Sequence, residues 1–374
     1  MCLFGLSGVG EKMRLFKCQA CGLLLYFENT QCERCGRMLG YLPEMGTLSA
    51  LEPAGTAWTA LAAPGGLHRF CANAAHDACN WLVADRAETP FCRACRHNRI
   101  IPDLTQDDNL TRWRKVEVAK HRLFFSLLRL RLPLATLAED PEHGLAFDIL
   151  ADPPDVRAPK VMTGYGNGVI TIALKESDDA ERERMRQEMD EPYRTLLGHF
   201  RHEIGHHFWD LLVRDGGYLD AFRARFGDER QDYAWALQNH YRKGPRPGWR
   251  DSFVSAYASV HPWEDFAETW AHYLHIVDTL EVASAFGVRV YPRIADNRDL
   301  SADLAFDPYL AGSIEQLVEA WLPLSFAVNS INRSMGQPDL YPFVLSPATI
   351  GKLGFIHAVV RGSRLTRGIS GQLG

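Results

Sequence analysis

Nothing constrains this chain more than where its cysteines stand. All nine precede residue 96: Cys2, then Cys18, Cys21, Cys32 and Cys35, then Cys71, Cys79, Cys92 and Cys95. In a reducing compartment, clustered C-x-x-C pairs point to bound metal rather than disulfides. Cys18-x-x-Cys21 and Cys32-x-x-Cys35 are each followed by a glycine, Gly22 and Gly36, which permits the positive φ that a tight metal knuckle needs. Four thiolates close a tetrahedral zinc with no open corner, so this first site is expected to be structural, with rubredoxin-like iron as the chemical rival. The second set, Cys71, Cys79, Cys92 and Cys95, contains one knuckle only, and His76 is a substitute for Cys71 or Cys79. Small units of this kind lack a sufficient core, so metal binding supplies much of their folding energy. Cys2 has no partner.

At 374 residues the chain exceeds one usual core, so two or more units are expected. The cysteine spacing and composition divide it into a first zinc ribbon at 13–42, a second ribbon-like zinc unit at 67–104, and a cysteine-free domain at 110–374. The stretch from Pro43 to Gly66 reads as a linker. No long uncharged apolar run predicts a membrane span, and Leu123 to Leu132 is interrupted by Arg129 and Arg131. The first residues lack the features of a signal peptide, Met13 is an alternative start, and a cytoplasmic location is the default. Residues 1–110 carry ten Lys and Arg against eleven Asp and Glu, which disfavours nucleic acid as a partner despite the local cluster Arg93, Arg96 and Arg99.

Apolar residues from Thr111 to Leu132 recur at helical spacing, ended by Pro133. Gly168 to Leu174 is β-branched and alternating, a strand. Asp178 to Met189 reads as a charged helix, and Pro192 as the first turn of a helix running to about Val213. Further helices are expected at 250–277, bent near Pro262, and at about 312–333, before a Pro/Gly-rich tail. The fold class is therefore α+β, with a mainly helical large domain.

Within the expected helix lies His202-Glu203-Ile204-Gly205-His206. Two histidines four apart project from one helical face and suit adjacent corners of a zinc tetrahedron, while Glu203 stands beside the ion as a proton acceptor for its water. The metzincin extension is excluded, because its positions hold Trp209 and Leu212. A third ligand must come from elsewhere, and Glu264 and Glu268 stand again four apart in an apolar helical segment. One can bind metal while the other receives a ligand histidine's N–H. His199 and His207 read as packing or surface residues, and Asp265 as a helix-surface or supporting group.

These segments resemble the gluzincins, where H-E-x-x-H is completed by a glutamate on a later helix. That resemblance implies Glu264 as ligand and Glu268 as its supporting carboxylate. Tyr257, seven residues before Glu264, matches the tyrosine that supports the reacting carbonyl in the catalytic domain of anthrax lethal factor. More widely, EPYRTLLGHFRHEIGHHFWD, HPWEDFAETWAHYLH, NRSMGQPDLYPF and CANAAHDACNWL are similar to a bacterial family of zinc-binding metallopeptidases with an N-terminal zinc ribbon. The resemblance implies a zincin-like catalytic domain, one catalytic and two structural zinc ions, and a peptide or protein substrate. The strand at Gly168 to Leu174 would pair with extended substrate, as edge strands do in this class. The ribbons would dock a protein partner. The rival reading is a zinc-ribbon protein- or nucleic-acid-interaction protein with a catalytically idle peptidase fold. The role of Arg333 to Phe343 is left open.

Overall fold

The computed structural model describes residues 15–106, 108–155, 157–182, 184, 195–293 and 298–370, the side chains of 364–370 excepted. Cys2, Met13, Pro192 and half of the charged helix expected at Asp178 to Met189 lie outside the described residues.

Strands β1 (Phe16–Lys17) and β2 (Leu24–Leu25) pair antiparallel around the first knuckle. Gly22 and Gly36 turn with φ of 74° and 70°, and their amides return to the carbonyls of Cys18 and Cys32. A five-stranded antiparallel sheet follows, in the order β3 (Leu39–Leu42), β4 (Thr47–Ala54), β5 (Ala57–Ala60), β6 (Leu67–Phe70) and β7 (Leu82–Ala84). The stretch from Pro43 to Gly66 is thus not a linker but the middle of this sheet. Its signal is weak because small residues fill it, yet Leu48, Ala50, Leu51 and Ala60 are fully buried, and Gly55 at φ 67° makes the turn. Tyr41 bridges to Trp81, bringing the last strand back beside the first.

The next strand, β8 (Asn98–Ile100), joins a second sheet. It pairs parallel with β9 (Ala146–Leu150), which pairs parallel with β11 (Val169–Ala173), and β11 pairs antiparallel with β10 (Gly164–Gly166). Helix α1 (Asn109–Arg129) buries Trp113, Val116, Leu123, Phe124, Phe125 and Leu127. Phe125 meets Phe27 and Tyr41 at ring distances of 5.6 and 6.1 Å, joining the cysteine-rich part to the rest in one core.

Helix α2 (Leu196–Phe208) starts later than expected. Thr195 is its N-cap, accepting from the Gly198 amide at 2.9 Å, and the helix continues through a wider turn to Arg214. Two shorter helices follow, α3 (Leu219–Phe226) and α4 (Tyr233–Lys243). Helix α5 (Pro262–Ala285) begins at Pro262 rather than bending there, and the preceding residues form only single turns. Proline's missing N–H costs nothing in a first turn, where amides lack helical partners anyway. Two short strands, β12 (Arg289–Val290) and β13 (Ala302–Asp303), precede α6 (Ile314–Ser334). The Pro/Gly-rich tail contains a further helix, α7 (Pro347–Ser370), which buries Leu353, Ile356, Val359 and Val360. Among the described residues no helix is long and apolar enough to cross a membrane.

Candidate metal centre and active site

Helices α2 and α5 cross at Gly205. A Cβ there would lie 3.0 Å from Ala267 Cα and 3.2 Å from Trp270 Cβ, so a larger residue would force the helices apart by a few tenths of an ångström. Behind the crossing, Asp278 of α5 receives the Ser126 hydroxyl of α1 at 2.9 Å, and also the Arg201 guanidinium and the Tyr309 hydroxyl. These contacts fix the rotation of α5 against α2.

The crossing brings His202, His206 and Glu264 together. Their facing atoms form a triangle: His202 Nε2 to Glu264 Oε2 is 3.0 Å, His206 Nε2 to Glu264 Oε2 3.6 Å, and the two Nε2 atoms 3.2 Å. A tetrahedral zinc bound at 2.0–2.1 Å places its ligands about 3.3 Å apart. His202 Nδ1 lies 2.7 Å from Glu268 Oε1, an oxygen that accepts, so Nδ1 carries a proton and a neutral ring leaves Nε2 bare. Glu264 Oε2 is buried and has no hydrogen-bond partner among the described residues. The bare His202 Nε2 and the Glu264 carboxylate oxygen therefore face each other beside His206 Nε2, an arrangement that repels unless a cation lies between them. Without metal, that cation is a proton. Burial alone would lower His202, but Glu264 and Glu268 outweigh it and raise its pKa well above the ordinary value. One proton satisfies one edge of the triangle, whereas a tetrahedral ion satisfies all three, so the donor set fits zinc.

Around this triangle, Ser255 donates to Glu268 Oε2 at 2.6 Å, holding the carboxylate that orients His202. Tyr233 of α4 donates its hydroxyl to Glu264 Oε1 at 2.7 Å. The Trp263 ring lies over His206, with centroids 3.7 Å apart. Tyr257 sits with its ring 5.9 Å from that of His202, and burial pushes its phenol far up, keeping it a proton donor. Glu203 is buried, and that burial raises its carboxyl above the ordinary value. Sequence reasoning missed Tyr233, Ser255 and Trp263. The first stands 31 residues before Glu264 on a helix without a buried residue, so no apolar pattern marks it.

The cysteine sets also assemble. In each, the four sulfurs lie within 4.8 Å of one another, with Cys18 and Cys35 at 3.7 Å, Cys21 and Cys32 at 3.5 Å, and Cys79 and Cys92 at 3.8 Å. His76 is exposed and packs near Trp113, outside the second set. The histidine that does reach it is His121 of α1.

Other expectations change. Strand β11 lies inside the sheet, and the edge next to it is β10, so a substrate strand cannot pair directly with Gly168 to Leu174. Asp265 is not at the helix surface. It is fully buried against Lys352 Nζ at 2.6 Å, and burial pushes its carboxyl up to about 7. His199 pairs with Glu176 at 3.2 Å, and burial lowers His207 to about 4. Between Arg333 and Phe343, Arg333 pairs with Asp339, and the Tyr341 hydroxyl meets His272 Nδ1 at 2.8 Å on α5. That segment braces α5.

The donor set fits zinc, and comparison with known proteins gives the family. Residues 109–359 match the family described as "Putative zinc-binding metallo-peptidase", and the chain belongs to that family. Residues 15–106 match a zinc-ribbon domain. The chain is 45% identical to uncharacterized proteins of Mycobacterium bovis and of two strains of Mycobacterium tuberculosis, over 93% of this chain and 95% of each relative. No solved structure gives a significant match.

Proposed function

We propose that the chain is a zinc-dependent peptide-bond hydrolase of gluzincin type, with His202, His206 and Glu264 as metal ligands. The triangle of three potential metal donors, two on α2 and one on α5 with spacings near those of a tetrahedral zinc, carries this reading. His202, His206 and Glu264 would hold the zinc, which would supply Lewis acidity toward a carbonyl and a water of lowered pKa, toward ~7. Glu203 accepts the proton of the attacking water and later delivers it to the leaving amine, a role that suits a carboxylate whose pKa is raised by burial. Tyr257 donates to the oxygen on which charge develops. Tyr233 and Glu268 hold their partners in place, the first gripping Glu264 Oε1 and the second His202 Nδ1. The two cysteine sets hold one structural metal each, giving three metals per chain, and the ribbon part docks a protein partner or the substrate. The test is Glu203→Gln assayed beside wild type on a mixed peptide library. Wild type should cut and the variant should not, with equal metal content in both. No cleavage by metal-loaded wild type would favour an idle fold serving interaction.

A further inference from the structure

Helix α1 lies outside the ribbon, yet its His121 sits against the second cysteine set. Nε2 of His121 lies 3.2 Å from Cys79 Sγ, 3.5 Å from Cys95 Sγ and 3.9 Å from Cys92 Sγ. Cys79 and Cys92 are themselves 3.8 Å apart. A tetrahedral zinc with one imidazole and three thiolates has nitrogen–sulfur edges of about 3.5 Å and sulfur–sulfur edges of about 3.8 Å. The observed spacings match that figure. The other ring nitrogen, Nδ1, lies 2.6 Å from the Glu117 carbonyl oxygen, which can only accept. Nδ1 therefore carries a proton, and with a metal bound the ring would be neutral and present its Nε2 lone pair on the side of the sulfurs. Metal-bound histidines commonly show this arrangement, one nitrogen anchored to a carbonyl and the other on the ion.

We propose that His121 is a ligand of the second metal, which it holds with Cys79, Cys92 and Cys95. Cys71 Sγ lies within 4.8 Å of the other three sulfurs and accepts the Cys92 amide at 3.3 Å, just as Cys79 and Cys92 accept the Trp81 and Cys95 amides at 3.3 and 3.4 Å; in this proposal it is the donor left outside the shell. Five donors surround a position that a structural zinc fills with four. The choice has a consequence for the whole molecule. Three ligands belong to the zinc-ribbon match at 15–106 and the fourth to the peptidase match at 109–359, so one ion cross-links the two. The helix it grips also carries Ser126, bonded to Asp278 on the helix that bears Glu264. Cys79 and His121 also line a crevice of about 290 Å³.

Cadmium-113 NMR of the full chain, loaded with cadmium and carrying nitrogen-15 histidine, decides the matter without any assay of hydrolysis. The first cysteine set should give a four-sulfur resonance, and the second a three-sulfur, one-nitrogen resonance split by coupling to a histidine nitrogen. His121→Ala should abolish that splitting and move the second resonance, leaving the first in place. Cys71→Ser should leave both where they are. Two four-sulfur resonances in the wild-type chain overturn the proposal, and so does a second resonance that His121→Ala fails to move. The wild-type spectrum decides alone should a variant not fold. Failure of the peptidase reading would leave it unaffected, because the catalytic donors contain no sulfur.

Discussion

Glu264 and Glu268 lie one turn apart on α5 and reach the same imidazole from its two ends. Glu264 Oε2 faces His202 Nε2 at 3.0 Å, and Glu268 Oε1 takes the Nδ1 proton at 2.7 Å. Removing each should therefore have different results. Glu264→Ala takes away one corner of a three-donor site and should abolish stable zinc binding. Glu268→Ala only frees the His202 ring and should weaken metal affinity about 10–100-fold. Competition with a coloured chelator measures both, and a reversed order would exchange the two roles. Glu203→Gln, in contrast, touches no metal contact and should cost about 10²–10⁴ in rate at full occupancy. Much of this was legible in the sequence, because i, i+4 spacing survives folding unchanged. Which glutamate binds was not legible from spacing and came from resemblance. Tyr233, His121 and Ser255 were invisible, since long-range convergence is not written in any local period.

Helix packing sets the triangle's dimensions, and Gly205 sets the packing. Glycine in a helix interior costs about 1 kcal/mol relative to alanine, so Gly205→Ala gains roughly that in propensity. The added methyl, however, would meet the Ala267 backbone at 3.0 Å, and overpacking of this kind costs about 1–3 kcal/mol. The two effects nearly cancel in stability, but only the second moves α5 away from α2. The expected outcome is a thermal midpoint within a few degrees of wild type together with a clearly weaker hold on zinc. Unchanged affinity would show that the crossing distance does not govern the site. Other elements were legible in proportion to their periodicity. Helices α1 and α6 follow clear apolar repeats, whereas Gly351 and Gly354 interrupt the pattern of α7. Strand β11 was found from its β-branched residues, but its interior place depends on β9 and β10, which no local signal names as partners.

At the scale of the molecule, contacts between the cysteine-rich part and the helical part should make them unfold together. His97 is one such contact. Its Nδ1 lies 2.9 Å from the Leu145 carbonyl, its ring packs 4.9 Å from Phe124, and burial lowers its pKa to about 3. The unfolded value is about 6.5, so between pH 3 and 6.5 the unfolded chain binds more protons. Stability from this group is therefore full above pH 6.5 and declines as pH falls through the window. His97→Asn keeps an N–H for the carbonyl and should flatten that slope in denaturant titrations. An equally steep slope would remove His97 as a source of acid lability.

The same reasoning extends to the whole ribbon. The cysteine spacing suggests units that could stand apart, but their junction is made of pairs distant in sequence. Arg122 meets Glu28 at 2.6 Å, Phe125 meets Phe27, and β8 is hydrogen-bonded into the sheet beside β9. Deleting everything before residue 108 would remove β8, the covers of Phe124 and Phe125, and the cysteine ligands proposed to share an ion with His121. A shortened chain that exposes several fully buried aromatic rings has lost about 1.5–3 kcal/mol for each, against a total stability of roughly 5–15 kcal/mol. It should therefore show no cooperative calorimetric transition and should bind a hydrophobic dye, while the full chain melts in one step. A truncated chain that melted sharply at the wild-type midpoint would mean that the ribbon is an appendage and that its metals do not support the peptidase fold.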